Sequence, residues 1–187
     1  SIVFLYSPKD SLTLILININ RKFNIYHMKI SCGIYLFRND NRFLIGHPTG
    51  FKSHIWAIPK GRMYIGESDY FEVAKRELME ETCIDLNSLD VVRVEELEMM
   101  RYRETNKYLK GFYVKVNNDF NDVDIKCDSM VFRNGQPSFP EFDEFKWVTI
   151  EESKDLLNEF QLENLIYCNS LINEKLKNLL SYKTFKI

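Results

Sequence analysis

Between residues 59 and 84 the chain reads PKGRMYIGESDYFEVAKRELMEETCI. A proline ends an apolar run, a glycine-bearing loop follows, and a helix crowded with carboxylates comes next. This order constrains the chain more than any other stretch, because loops leaving strands are where sites are assembled on a rigid scaffold. Asp69 with Glu72 three residues later is a capping signal, so the pattern predicts a helix over 69–82. On that helix Phe71, Ala74 and Leu78 fall together as the buried stripe. Glu77, Glu80 and Glu81 stand at i, i+3 and i+4 and share a face beside it. Like charges at this spacing repel by about 0.2–0.5 kcal/mol per pair. Arg76 is placed to pair with Glu80 or Glu72, whereas Glu77 and Glu81 have no basic residue three or four positions away. Hard oxygen ligands in a cluster are what Mg2+ or Mn2+ requires, and a bound cation would turn the repulsion into attraction. The plain alternative is a solvated acidic face. The bare string favours that alternative, and the strand–glycine loop–helix context weighs against it.

The rest of the chain reads as alternating strands and helices. KISCGIYLF (29–37) and FLIGH (43–47) are strands joined by the turn RNDNR, and IWAIP (55–59) is a short buried strand. Gly61 and Gly66 bracket a loop. After the carboxylate helix, LDVVRVEELEMMRYRE (89–104) and YLKGFYVKV (108–116) form a strand pair around the turn ETNK. Residues 117–140 read as a long polar loop, EFKWVT (144–149) as a strand, and Thr149 with Glu152 as the cap of a further helix. A final amphipathic helix is expected over 161–181, with Leu162, Leu165, Ile166, Ile172, Leu176 and Leu179 as its apolar side. Mixed strands with inserted helices imply an α/β sandwich, a mixed sheet covered on both faces.

At 187 residues, 45% hydrophobic and 28% charged, the chain is long enough for one domain with a real core. A net charge of −2 argues against a broad nucleic-acid-binding surface. Four cysteines lie far apart without a CxxC pair, so a reducing, cytoplasmic setting is the simpler expectation. The apolar run LTLILINI (12–19) is too short to span a bilayer, and the residues before it carry no basic start of a signal peptide. No membrane partner is expected. Met28 is read as the natural start, with residues 1–27 an upstream extension and 28–187 the domain; an extra N-terminal strand is the equal alternative.

Gly61, five residues, Glu67 and then Arg76-Glu77-Leu78-x-Glu80-Glu81-x-Cys83-Ile84 resembles the Nudix box, GX5EX7REUXEEXGU, where U is a large aliphatic residue. The flanking WAIPKG and FPEFDEFKWVTIEE are similar to MutT-like Nudix hydrolases too, so the likeness covers residues 28 to about 170. There are two departures. Eight residues separate Glu67 from Arg76 where the family has seven, so the usual buttress between loop glutamate and helix arginine is in question. The extra residue is placed near Ser68. Cys83 stands where the family has a glycine past the helix end, a position that often wants φ > 0.

The resemblance implies a Nudix-type α/β/α sandwich and a Mg2+- or Mn2+-dependent pyrophosphohydrolase. Its substrate would be a nucleoside diphosphate linked to another group, cleaved by water attack on phosphorus. Carried over by position, Glu77, Glu80 and Glu81 would hold metal with the backbone carbonyl of Lys60, and Glu77 or an outside carboxylate would act as base. Arg76 and Glu67 would position loop and helix, and Lys60 and Arg62 would meet phosphate charge. Glu141 or Glu144 would supply a further acidic group. Tyr102, eighteen positions past Ile84, resembles the marker of the dinucleoside polyphosphate branch, and its other reading is strand packing. Diadenosine tetraphosphate is therefore the expected kind of substrate, with an RNA 5′ end or a nucleoside triphosphate also open. Trp56 is read as core, and His47 and His54 as polar loop residues. The reading from another class is a non-catalytic Nudix-fold module that binds nucleotide or protein; the intact glutamate set favours the enzyme. A third, an acidic structural helix in an unrelated domain, would leave the box spacing a coincidence. Oligomeric state is left open.

Overall fold

A computed structural model describes residues 28–102, 105–117 and 125–184, with side chains described to residue 173. The expectation for residues 1–27 lies outside the described residues. Among the described residues there are eight strands: β1 (Lys29–Phe37), β2 (Phe43–Pro48), β3 (Lys60–Arg62), β4 (Val91–Arg101), β5 (Lys107–Val116), β6 (Met130–Arg133), β7 (Gln136–Pro140) and β8 (Phe142–Val148). The helices are α1 (Tyr70–Thr82), α2 (Ile150–Ser153) and α3 (Glu159–Thr184). A 3-10 turn, Leu86–Ser88, follows α1.

The main sheet runs β4-β5-β1-β2-β8, with β3 paired to β1 beside β2. Its one parallel pair is β1 with β5, and the other pairs are antiparallel. β1 is central because its run is apolar on both sides, the signature of a strand covered on two faces. Ile30, Cys32, Ile34 and Leu36 pack with Val73, Ala74 and Leu78 of α1. Tyr35 and Phe37 turn to the other face and meet Leu165, Cys168 and Leu171 of α3. The sandwich expected from the sequence is therefore present, one helix to a face. Among the described residues no helix is long and apolar enough to cross a membrane.

Several local expectations change. IWAIP is buried only over residues 56–59, with Ile55 exposed, and is not a strand: Trp56 and Ala57 make only isolated bridges, to Leu157 and Gly46. The strand begins after it, so Gly61 lies in β3 opposite Cys32 rather than in a loop. Residues 117–140 are not one loop. Met130–Arg133 and Gln136–Pro140 form a hairpin through Asn134-Gly135, whose φ values of 52° and 77° suit a two-residue turn. Asn-Gly was the available signal, hidden by Pro137 and Pro140 within a short two-stranded ribbon that has no central strand for proline to disrupt. His47 lies in β2 and is buried, not in a loop. On α3 the buried residues are Gln161, Asn164, Leu165, Cys168 and Leu171, while Ile166 is 73% exposed. Apolar counting missed this face because two of its members are amides. Leu176 and Leu179 lie outside the described side chains.

Candidate active site

The helix that carries the carboxylates starts and stops where its sequence says it should. Asp69 accepts hydrogen bonds from the backbone N–H groups of Phe71 (2.8 Å) and Glu72 (3.2 Å). Glu72 itself reaches Lys75 at 2.6 Å. At the other end Cys83 adopts φ 57° and ψ 19°, and its N–H donates to the Met79 carbonyl at 2.9 Å. A side chain in this left-handed region is strained by about 1 kcal/mol. The position is therefore the one a glycine would suit.

The loop before α1 is held by one arginine. Arg76 donates from Nε to Glu67 Oε1 (3.1 Å), from Nη1 to Glu77 Oε1 (2.8 Å) and Glu80 Oε2 (3.1 Å), and from Nη2 to the Arg62 carbonyl (3.0 Å). Glu67 also accepts from the Tyr64 N–H at 2.6 Å, which holds its carboxyl below the usual range. The Glu67–Arg76 contact thus stands, and the extra residue is absorbed before the helix begins. Glu77 takes its cation from its immediate neighbour, a pairing that i, i+3 and i, i+4 reasoning overlooks. Glycine at position 61 makes room for the Glu77 carboxylate, which a Cβ there would displace.

Glu81 reaches back to the same strand, its Oε2 accepting from the Lys60 N–H at 2.7 Å. Glu77 and Glu81 are buried, at 5% and 2% exposure, while the Glu80 side chain is 46% exposed. The fourth carboxylate arrives through the end of α1. The N–H groups of Asp128 (3.0 Å) and Ser129 (2.8 Å) cap the free Glu80 carbonyl, and the Ser129 carbonyl then accepts from the Glu141 N–H at 2.8 Å. The Glu141 carboxyl hydrogen-bonds with that of Glu81. Burial raises Glu77 to about 7, opposed by Arg76 and assisted by Glu80 and Glu141. Burial also raises Glu81 well above the usual range, opposed by Lys60 and assisted by the hydrogen bond and charge of Glu141.

Lys60, Glu81 and Glu141 line a cavity of about 620 Å3. Of the other residues singled out in the sequence, three lie elsewhere. Arg62 is exposed and engaged through its carbonyl. Tyr102 packs against Phe160 at the start of α3, with tilted rings whose centroids are 4.8 Å apart. Glu144 pairs with Lys146 at 3.2 Å. His47 binds Asp143 at 2.6 Å and the Lys52 carbonyl at 3.2 Å. His54 is exposed. Trp56 is core, as expected, at 2% exposure. A larger hollow of about 700 Å3 between α2 and α3 holds none of the box residues.

Two groups of residues escaped the sequence reading. Phe51, Arg133 and Phe139 line the same cavity as Lys60, Glu81 and Glu141. The strand context of Arg133 and Phe139 depends on the hairpin, and Phe51 lies in the turn after β2. Gln161 was also passed over, though its Oε1 accepts from the Ile58 N–H at 2.9 Å and so holds the chain just before β3.

Among the described residues no three acidic, histidine or cysteine side chains form a ready metal cage. Glu77 is drawn to Arg76 and Glu81 to the Lys60 N–H instead. The donor set still fits a divalent cation. It is made of hard carboxylate oxygens, two of them desolvated beside a third, an arrangement that is repulsive until a cation or proton enters.

A carboxylate helix packed on a glycine strand, with a fourth acid delivered from a separate segment, defines a class of phosphate-handling site. The NUDIX domain model matches residues 27–166, and the chain belongs to that family. It is a Nudix hydrolase, of the class that acts on phosphoric anhydride bonds. The chain is 28% identical over 163 residues to an RNA pyrophosphohydrolase of Pelagibacter ubique (strain HTCC1062), covering 80% of this chain and 91% of that protein. It is 29% identical over 122 residues to an uncharacterized 17.7 kDa protein of Enterobacteria phage T4, covering 62% and 79%. Its fold is similar to a crystallised Ap4A hydrolase of C. elegans, with TM-score 0.56, 23% identity and coverage of 77% and 98%. A MutT protein of Methanosarcina mazei Go1 gives TM-score 0.53, 19% identity and coverage of 76% and 94%.

Proposed function

We propose that this protein is a Mg2+- or Mn2+-dependent pyrophosphohydrolase that cleaves a nucleoside diphosphate linked to another group, with a dinucleoside polyphosphate such as diadenosine tetraphosphate as the first substrate class. The observation that carries the reading is buried Glu81 meeting Glu141 in the lining of a cavity that also holds Lys60, with buried Glu77 on the same helix, tied to Arg76. Glu77, Glu80 and Glu81 would hold the metal with the Lys60 carbonyl. When bound, the cation supplies neutralisation of the phosphate oxygens and makes the attacking water more acidic. The chain's own groups do the rest. Arg76 keeps Glu77 and Glu80 on one side of the helix and ties them to Glu67. The Lys60 ammonium meets phosphate charge from the cavity wall. Glu77, or Glu141 as the outside carboxylate, would take the proton of the attacking water.

A second reading of the substrate, the 5′ end of RNA, is favoured by the 28% identity to an RNA pyrophosphohydrolase. The placement of Tyr102 against Phe160, away from the carboxylate cavity, removes some of the weight from the dinucleotide marker. A phosphate-release assay with Mg2+ or Mn2+ on dinucleoside polyphosphates, nucleoside triphosphates, ADP-ribose, NADH and 5′-triphosphate RNA tests both, run beside Glu80→Gln. Turnover of one class, lost in the variant, supports the enzyme and names its branch. A folded, metal-binding protein that turns over none of them sinks the proposal in favour of a nucleotide- or protein-binding module.

A further inference from the structure

β8 carries one residue more than β2 where the two strands part: His47 stands opposite Glu144 and Pro48 opposite Phe142, which leaves Asp143 as the extra residue of a bulge. A bulge re-aims a side chain. Here the Asp143 carboxylate meets Nδ1 of His47 at 2.6 Å, while Nε2 on the other side of the ring stands 3.2 Å from the Lys52 carbonyl. Both partners are acceptors. A carbonyl oxygen and an ionised carboxylate have no proton to give, so each contact is a hydrogen bond only when the facing ring nitrogen carries one. Either neutral tautomer turns a lone pair towards an acceptor, and only the imidazolium satisfies both. We infer that His47 is a positioning residue for the proposed reaction: its imidazolium latches the loop of residues 49–55 beside the substrate cavity, and loss of one proton opens the latch at Lys52. This rests on the proposed function and names a regulation of that same site by pH.

The loop borders the chemistry. Thr49, Gly50 and Phe51 line the cavity with Lys60, Glu81 and Glu141. Residues 51–55 are exposed, so little burial holds them in place. Among the described residues three hydrogen bonds tie the loop to the rest of the chain. The Thr49 N–H donates to the Glu141 carbonyl at 2.9 Å, Trp56 Nε1 donates to the Ser53 carbonyl at 2.9 Å, and His47 donates to the Lys52 carbonyl. That Lys52 carbonyl also accepts from the Ile55 N–H at 2.9 Å, so the latch grips a turn of the loop itself. Of the three donors, the imidazole is the one that changes its proton count near neutral pH. The Lys52 bond is then the one lost, because the carboxylate keeps the remaining proton on Nδ1. The surroundings set the direction. β8 presents Asp143 and Glu144 to the ring, and its Lys146 is engaged by Glu144 at 3.2 Å and by the Trp56 ring at 4.1 Å. Trp56 packs against the imidazole with centroids 5.3 Å apart, Lys52 faces it through its carbonyl, and His54 of the same loop is exposed. The Asp143 hydrogen bond raises His47 above its usual 6.5, against desolvation and with help from the charges of Asp143 and Glu144. The latch therefore holds below 6.5 and lets go as pH rises through the raised value.

Imidazole nitrogen NMR and amide hydrogen exchange on the full chain test the latch without turnover. Both His47 ring nitrogens should be protonated at about pH 6. The Thr49 and Ile55 amides, corrected for intrinsic exchange, should lose about 10-fold or more of their protection as the ring titrates above 6.5. Asp143→Asn should move both midpoints together to lower pH, and His47→Phe should leave the protection low and level with pH. A His47 midpoint below 6.5, or amide protection that stays level through the His47 titration, overturns the latch. Asp143→Asn keeps the ring and its Lys52 contact, so it carries the test if His47→Phe fails to fold. In a chain that turns over a nucleotide, KM should rise through the same midpoint with kcat changed less, because the Glu141 N–H keeps its own bond to Ser129. A chain that hydrolyses nothing while ring and amides titrate together refutes the proposed function and retains the latch. Turnover with KM level through the His47 midpoint does the reverse.

Discussion

The two faces of the sheet grip the same short segment in different ways. From the α3 side Gln161 accepts the Ile58 N–H at 2.9 Å, and from the α1 side Glu81 accepts the Lys60 N–H at 2.7 Å. Both side chains are buried, at 0% and 2% exposure. A neutral amide satisfies a buried N–H without placing a charge in the interior, although the Gln161 Nε2 is left without a hydrogen-bond partner among the described residues. A carboxylate in the same role must be desolvated, and it sits beside Glu141 as well. The amide therefore reads as structure and the acid as function: an ionisable group is kept on the α1 face where a permanently neutral one would hold the strand equally well.

Replacing the acid by the amide breaks this comparison most directly. Glu81→Gln should keep the Lys60 contact, leave unfolding by urea unchanged or slightly harder in metal-free protein, and lower kcat by about 100-fold or more, on the scale of losing one electrostatic group at a reacting centre. A variant that unfolds more easily with full activity would reverse the assignment of the two faces.

Metal removal sharpens it next. Glu77 is raised from 4.5 to about 7, so the folded chain holds its proton more tightly than the unfolded one. The group favours folding at low pH, and that contribution is lost as pH rises from 4.5 through 7. In EDTA the melting temperature should fall across this window, and Glu77→Gln should flatten the fall. Mg2+ at 100 times its Kd should restore about 2.7 kcal/mol, more effectively at pH 8 than at pH 5, where protons compete.

On the α3 face Gln161→Leu should cost about 1–3 kcal/mol by leaving the Ile58 N–H unpaired, with Mg2+ affinity of the folded protein unchanged. The smallest expected effect is at the end of α1. Cys83→Gly should stabilise by about 0.5–1 kcal/mol, because the left-handed φ of 57° suits glycine, with kcat unaltered. Urea denaturation measures both, and a destabilised Cys83→Gly would mean that the thiol makes a contact worth more than its strain.

Much of the α1 face could be read from the chain alone. The Asp69 cap, the stripe Phe71–Ala74–Leu78 and the shared side of Glu77, Glu80 and Glu81 depend on neighbours one or two helical turns away, so spacing is enough. The need for positive φ at position 83 was likewise local. Spacing also set both faces of β1, since alternate residues must point to opposite sides. The α3 face was harder. Its buried side includes Gln161 and Asn164, and no periodic count of apolar residues reports an amide whose partner is an N–H more than a hundred positions away.

By itself, then, the sequence determined the box helix, its cap, its acids and the sandwich class, because each follows from contacts within a few residues. Only the tertiary structure decided that the extra residue before α1 leaves Glu67 on Arg76, that Glu141 rather than Glu144 meets Glu81, and that an Asn-Gly hairpin lines the cavity. Those outcomes depend on where separate segments meet. Glu141 and Glu144 are equivalent in a linear chain, and what separates them is the N–H of residue 141 finding the Ser129 carbonyl, on a segment already seated against the end of α1.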